Sequence, residues 1–251
     1  MLIVPQNLIA PERIAANLAR IRDRIRTAAE QSGRSVDQVT VIGASKGQPL
    51  AAIAAAHAAG LSDLGENYVQ DALPKMAALA QLAPDASGSA IVWHFIGALQ
   101  ANKTRPVAEN FSWVHTIDRL RIAERLSEQR PYHAPPLNVC VQVQIGGEGS
   151  KAGAAPTAVP QLLRDVAALP RLKLRGLMCL PPPEVDPARQ RYWLHQLKEL
   201  FESVNADGAG LDTLSMGMSA DLDAAVHEGA TLVRIGTDLF GPRPPPAANP
   251  A

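Results

Sequence analysis

One lysine, one arginine and two short turns hold most of the chemistry this sequence can offer. Lys46 ends the run Val41-Ile42-Gly43-Ala44-Ser45-Lys46. An apolar run of that length reads as a buried strand, and a lysine delivered at its end is costly to keep as a desolvated ammonium. Burial lowers the pKa of such an amine and makes it a nucleophile toward a carbonyl, as Schiff-base formation requires. The same lysine could also lay its stem along the strand end and put its charge in water. Farther on, Ser215-Met216-Gly217-Met218-Ser219 and Arg234-Ile235-Gly236-Thr237 are strand-to-helix turns of small and hydroxyl residues. Backbone N–H groups exposed by glycine, with a hydroxyl beside them, are donors for a phosphate. Ordinary helix capping by Ser219 and Thr237 would use the same residues. Arg234 offers a donor to a ring nitrogen, a phosphate or carboxylate clamp, or an ion pair with Asp238.

These groups act together only if the fold gathers them. Apolar strand patterns fall at residues 39–44, 62–65, 91–96, 113–117, 137–145, 174–179, 213–216 and 231–235, with helical patterns between them. A helix over 11–31 precedes the first strand, with Ile14, Leu18, Ile21 and Ile25 on one face and arginines 20, 22, 24 and 26 largely in solvent. Pro74 should kink or divide a helix over 69–82, and Asp118 should cap the helix after the fourth strand. Eight strands alternating with helices predict a single (β/α)8 TIM barrel over residues 1–241 with an extra N-terminal helix. Residues 242–251 form a proline-rich tail expected to be disordered. A doubly wound open sheet is the alternative, but Gly43-Ala44-Ser45-Lys46-Gly47 is not its glycine fingerprint.

In a barrel the carboxyl ends of the strands share one rim. Lys46, Glu66, Asn67, His94, Thr116, Met178, Ser215, Met216, Arg234, Gly236 and Thr237 all fall at or near such ends. Barrels frequently bind phosphate after strands seven and eight, where the two small-residue turns lie. An amine on one side of a mouth and a phosphate cradle on the other suit a ligand with both an aldehyde and a phosphate, either pyridoxal 5′-phosphate or a phosphosugar.

Composition narrows the partners. The 251 residues carry 24 basic and 24 acidic side chains, which gives no electrostatic case for nucleic acid or an anionic membrane. No apolar stretch is long enough to span a bilayer and the first residues lack a basic, signal-like start, so the expected location is the cytoplasm. Cys140 and Cys179 lie in apolar segments without a CxxC partner, which predicts buried reduced thiols and no metal site.

The ordered set of motifs goes further. Ala44-Ser45-Lys46 with Pro49, Gly65-Glu66-Asn67-Tyr68-Val69-Gln70, Trp93-His94-Phe95-Ile96-Gly97, Leu99-Gln100, Asn102-Lys103, Gly147-Glu148 with Ser150-Lys151, Gly176-Leu177-Met178, Leu214 to Ser219, and Val233 to Thr237 with Phe240-Gly241 follow one another along the chain. In this set the chain resembles the pyridoxal-phosphate homeostasis proteins of the YggS/PROSC type, which look like the barrel domain of alanine racemase. The resemblance implies a covalent Schiff base between Lys46 and pyridoxal 5′-phosphate. It also implies phosphate binding by Ser215, Gly236 and Thr237, Met216 among the cofactor-binding residues, Arg234 near the ring and Asn67 beside it. Where the family usually has threonine and lysine after the Schiff-base lysine, this chain has Gly47 and Gln48; where it usually has histidine after the third-strand glycine, this chain has Ala98.

Racemases and decarboxylases with this barrel carry a second, β-rich domain, for which the chain leaves no room after Gly241. The expectation is therefore a monomeric carrier that holds pyridoxal phosphate and acts in vitamin B6 and amino-acid homeostasis, with pyridoxal-phosphate-dependent apoenzymes as partners, no catalytic residues and no robust turnover. The alternatives are a single-domain racemase using Lys46 with His94 or Tyr68, and a Schiff-base aldolase. Lys103 and Lys151 are further amines. Lys151 lies in a glycine-rich loop, where it could hold cofactor during transfer or simply be solvated.

Overall fold

A computed structural model of the protein describes residues 9–82, 90–146 and 153–242. After helix α1 (Pro11–Gln31) come β1 (Thr40–Ala44), α2 (Leu50–Ala58), β2 (Asp63–Glu66), α3 (Val69–Leu82), β3 (Val92–Phe95), α4 (Thr104–Asn110), β4 (Trp113–Ile117), α5 (Leu120–Gln129) and β5 (Leu137–Val143). They are followed by α6 (Val159–Ala167), β6 (Leu172–Cys179), α7 (Pro187–Ala206), β7 (Thr213–Ser215), α8 (Leu222–His227), β8 (Leu232–Ile235) and α9 (Thr237–Phe240). Each strand pairs in parallel with its neighbours in sequence, and β8 returns to β1, so the sheet closes into the expected barrel. The proline-rich segment beyond residue 242 and the loop carrying Lys151 lie outside the described residues.

Strand alternation decides which side chains face the axis. A Cβ on Gly65 would sit 3.0 Å from Ile42 Cγ2 and 2.8 Å from Ile96 Cδ1, so these three positions share the inner face. A Cβ on Gly43 would instead strike Leu61, Leu239 and Phe240, which belong to the layer between sheet and helices. In β1 the inward residues are therefore Ile42 and Ala44. The outer layer is the main hydrophobic core, where Ile53, Leu64, Phe95, Phe111, Leu126, Val139, Leu197 and Val233 are buried together.

Helix α1 closes the outer layer over the β8–β1 seam. Ile14, Leu18, Ile21 and Ile25 are its buried stripe, as their spacing predicts. Arg20, Arg22 and Arg26 are exposed, as expected, and Arg24 is partly buried. Arg24 pairs with Asp223 at 3.1 Å and Asp238 at 3.0 Å, and Arg22 donates to Gly60 O at 2.7 Å. The helix containing Pro74 stays undivided, because proline in the second turn removes one hydrogen bond near an end that already lacks several. Asp118 does not cap α5; its carboxylate accepts from Arg119 at 2.8 Å and Arg119 holds the cap position. Among the described residues no helix is long and apolar enough to cross a membrane.

Candidate functional site

Lys46 stands at the corner of a turn. Gln48 N donates to Ser45 O at 3.0 Å, and Gly47 between them has φ +68°, a left-handed backbone that glycine adopts without strain. The departure at Gly47 thus fits the turn that presents the lysine. Ser45 is fully buried and fastened to β2: its amide donates to Gly65 O at 2.9 Å and its hydroxyl to Glu66 Oε1 at 2.7 Å. Lys75 Nζ reaches from α3 to the same Glu66 oxygen at 2.7 Å and to Ser45 O at 2.9 Å. The residue before Lys46 is therefore held by a buried carboxylate and an ammonium. The Lys46 amine lies 5.6 Å from the centroid of the exposed Tyr68 ring. Lys46 itself is half-buried.

Asn67 follows Glu66, and its backbone crosses directly over Gly97. A Cβ on Gly97 would fall 2.2 Å from Asn67 O, so only glycine permits this approach. Thr116 Oγ1 donates to Gly97 O at 2.7 Å and fixes the crossing. Ala98, where a histidine was expected from the resemblance, is exposed on this rim, as is Lys103.

Across the mouth the turns after β7 and β8 meet. Gly217 has φ +95°, and Met218 N donates to Asp221 Oδ1 at 2.6 Å, closing the first turn. Asp238 N donates to Ser219 Oγ at 3.3 Å, which ties that turn to the start of α9. Arg24 braces both, touching Ser219 O at 3.5 Å and Asp238. Asp238 is therefore the partner of Arg24 and not of Arg234. Gly236 lies beside Ala44, and a Cβ there would come no closer than 3.7 Å to its atoms, an ordinary contact.

Three expected site residues are placed differently. Ser215 is fully buried in the barrel interior, where its hydroxyl accepts from Arg234 Nη1 at 2.7 Å and meets His115 Nδ1 at 2.7 Å. With both contacts used it is not a rim donor, and Ser219 is the hydroxyl at the expected turn. Met216 packs into the core between sheet and helices, leaving only its backbone near the turn. His94 lies in mid-barrel, 2.9 Å from Asp63 and 3.0 Å from His115, stacked on Trp113. It cannot serve as a base at the rim.

Arg234 faces the axis below Gly236. Its second nitrogen donates to Cys179 O at 2.9 Å, and burial lowers its pKa from the usual guanidinium range. Cys140 and Cys179 are free, buried thiols, pushed up to about 12 chiefly by burial. Sequence reasoning missed Asp63, His115 and Lys75. For the first two a signal existed, since His94 and His115 recur at polar positions inside otherwise apolar strands.

A closed parallel barrel with an amine, an inward arginine and a glycine-lined turn on one axis defines a class, and the family model for the N-terminal domain of alanine racemase matches residues 16–244. The alanine racemase of Clostridium difficile shares the fold, with a TM-score of 0.66 at 16% identity over 92% of this chain and 58% of that one. A pyridoxal phosphate homeostasis protein of Pseudomonas aeruginosa is 55% identical over 92% of this chain and 96% of its own length. PipY of Synechococcus elongatus PCC7942, solved with PLP bound, superposes with a TM-score of 0.78 at 34% identity, over 91% of this chain and all of PipY. The chain belongs to the pyridoxal phosphate homeostasis protein family.

Proposed function

We propose that this protein binds pyridoxal 5′-phosphate as a Schiff base to Lys46 and serves to hold and release the cofactor in vitamin B6 homeostasis. The observation that carries the reading is Gly236. It lies against Ala44 at the end of β1, two residues before Lys46, so the turn after β8 and the turn that presents the lysine adjoin at the mouth. The residues fit the group. Gly236, Thr237 and Ser219 offer backbone and hydroxyl donors for a phosphate. Lys46 offers the amine, Asn67 lies on a backbone fixed over Gly97, and Arg234 offers a donor along the axis. When bound, pyridoxal phosphate supplies an aldehyde for the imine, an anionic anchor and a ring that can accept electrons.

The side chains favour retention over turnover. Arg234 carries its own charge and donates hydrogen bonds, so a ring nitrogen facing it stays unprotonated and the ring is a weak electron sink. His94 is committed to Asp63 and His115 inside the barrel. Tyr68, whose ring lies near the Lys46 amine, is exposed and open to water. We therefore read the protein as a monomeric carrier that hands cofactor to apoenzymes. Purified protein should not exchange the α-proton of amino acids in deuterated water; robust exchange lost in Lys46→Ala would establish the racemase reading.

The deciding experiment is spectroscopic. The isolated protein should be yellow, and borohydride should bleach the visible band and fix the cofactor on the peptide containing Lys46. Lys46→Ala should abolish both. A colourless protein, or a label on another lysine, overturns the assignment.

A further inference from the structure

A continuous line of hydrogen bonds runs along the barrel axis, from the end opposite the mouth to Arg234. Asp63 Oδ1 lies 2.9 Å from His94 Nε2, and His94 Nδ1 lies 3.0 Å from His115 Nε2. His115 Nδ1 lies 2.7 Å from Ser215 Oγ, which accepts from Arg234 Nη1 at 2.7 Å. One residue each from β2, β3, β4, β7 and β8 contributes. Barrel interiors are ordinarily filled with branched apolar residues, so five linked polar groups need a reason. The line ends at Asp63 in a cavity of about 490 Å³ on the lower face, which Arg34, Arg175 and Asp212 also line.

The donor inventory fixes the direction of the line. Arg234 can only donate, and an ionised Asp63 can only accept. With both imidazoles neutral, one order satisfies every contact. The Ser215 hydroxyl donates to His115 Nδ1, His115 Nε2–H donates to His94 Nδ1, and His94 Nε2–H donates to Asp63. The reverse order would set the His94 Nε2 lone pair against the carboxylate and needs an added proton at that end. Burial lowers the pKa of His94, opposed in part by Asp63; it lowers that of His115 further, helped by His94 and Arg234. Both rings are thus held neutral.

The surrounding charges leave Asp63 as the acidic end. Asp63 otherwise takes a hydrogen bond from Ser62 Oγ at 2.9 Å. Arg175 is occupied by Asp212 at 2.8 Å, and Arg34 by the carbonyls of Val226 and Ala230. Around Arg234 the buried thiols of Cys140 and Cys179 stay protonated, and Asp221 acts on the guanidinium from the β7–α8 turn without touching it in the hydrogen bonds described.

We infer that Asp63, His94, His115 and Ser215 are positioning residues for Arg234. They fix the guanidinium that faces the cofactor, and they make the charge of a carboxylate on the lower face felt at the ring on the upper face. This inference rests on the cofactor reading above. Asp63→Asn keeps an oxygen for the His94 N–H and removes only the charge.

In the holoprotein, Asp63→Asn should lower the pH midpoint of the cofactor's visible band by about half a unit to one unit, because the site loses a carboxylate that favours positive charge. Asp212→Asn removes the same charge from the same cavity but off the line, and should leave the midpoint in place. An unchanged midpoint in Asp63→Asn, or equal shifts in both variants, overturns the inference. Nitrogen-15 spectra of the histidines should show Nε2–H on both rings; Nδ1–H on either overturns the proton order. If the wild type has no band, or keeps it in Lys46→Ala, the cofactor reading fails instead, and the tautomers then judge the line by themselves.

Discussion

The two faces of the barrel sheet follow different rules. Outward from it, Ile53, Phe95, Phe111, Val139 and Leu197 pack against helices as a continuous apolar layer. Inward, an arginine, two histidines, a serine and an aspartate follow one another along the axis. Apolar burial supplies folding free energy wherever shapes match, whereas buried polar groups add little net stability and must each find a partner. The outer layer therefore sets whether the barrel stands. The inner line sets what the mouth can do.

The largest expected effect lies on the outer face. Phe95 packs edge-on against Phe111 at 5.4 Å between centroids, and Phe95→Ala should cost about 3–5 kcal/mol in denaturant unfolding while leaving the cofactor's visible band where it was. A shifted band would break the separation between the faces.

An intermediate effect belongs to the axis. His94 and His115 titrate lower in the fold than the usual 6.5, so the unfolded chain binds protons first as pH falls. Their contribution is complete above pH 6.5 and is lost progressively below it. Between pH 7.5 and 5.5 the unfolding free energy should fall by about 1–2 kcal/mol from these two groups. The paired His94→Gln, His115→Gln variant should lose that slope even if it is less stable overall.

The smallest effect tests the two serines. Ser219→Ala should weaken cofactor binding by about tenfold, the worth of one hydrogen bond to a charged group. Ser215→Ala should spare affinity and shift the band. Equal losses of affinity would mean that both hydroxyls serve the phosphate.

The barrel was legible because strand and helix periods alternate cleanly, and because Lys46, Gly236 and Thr237 sit where strands end. Ser215 and Met216 were not, since neighbours on a strand end face opposite sides and one residue of register reverses their roles. Asp63 looks like a strand opener in sequence. Only closure of the sheet sets it against His94, 31 positions away.

Arg24 ties this architecture to the order of synthesis. It lies near the start of the chain, and the acids that receive it, Asp223 and Asp238, come 199 and 214 residues later. A nascent chain emerging amino end first holds the brace for the β7 and β8 turns through most of translation with nothing to brace. The β7–β8 side of the mouth is therefore among the last parts to be completed, when the final strand seats against the first and the helix made at the outset locks over the joint.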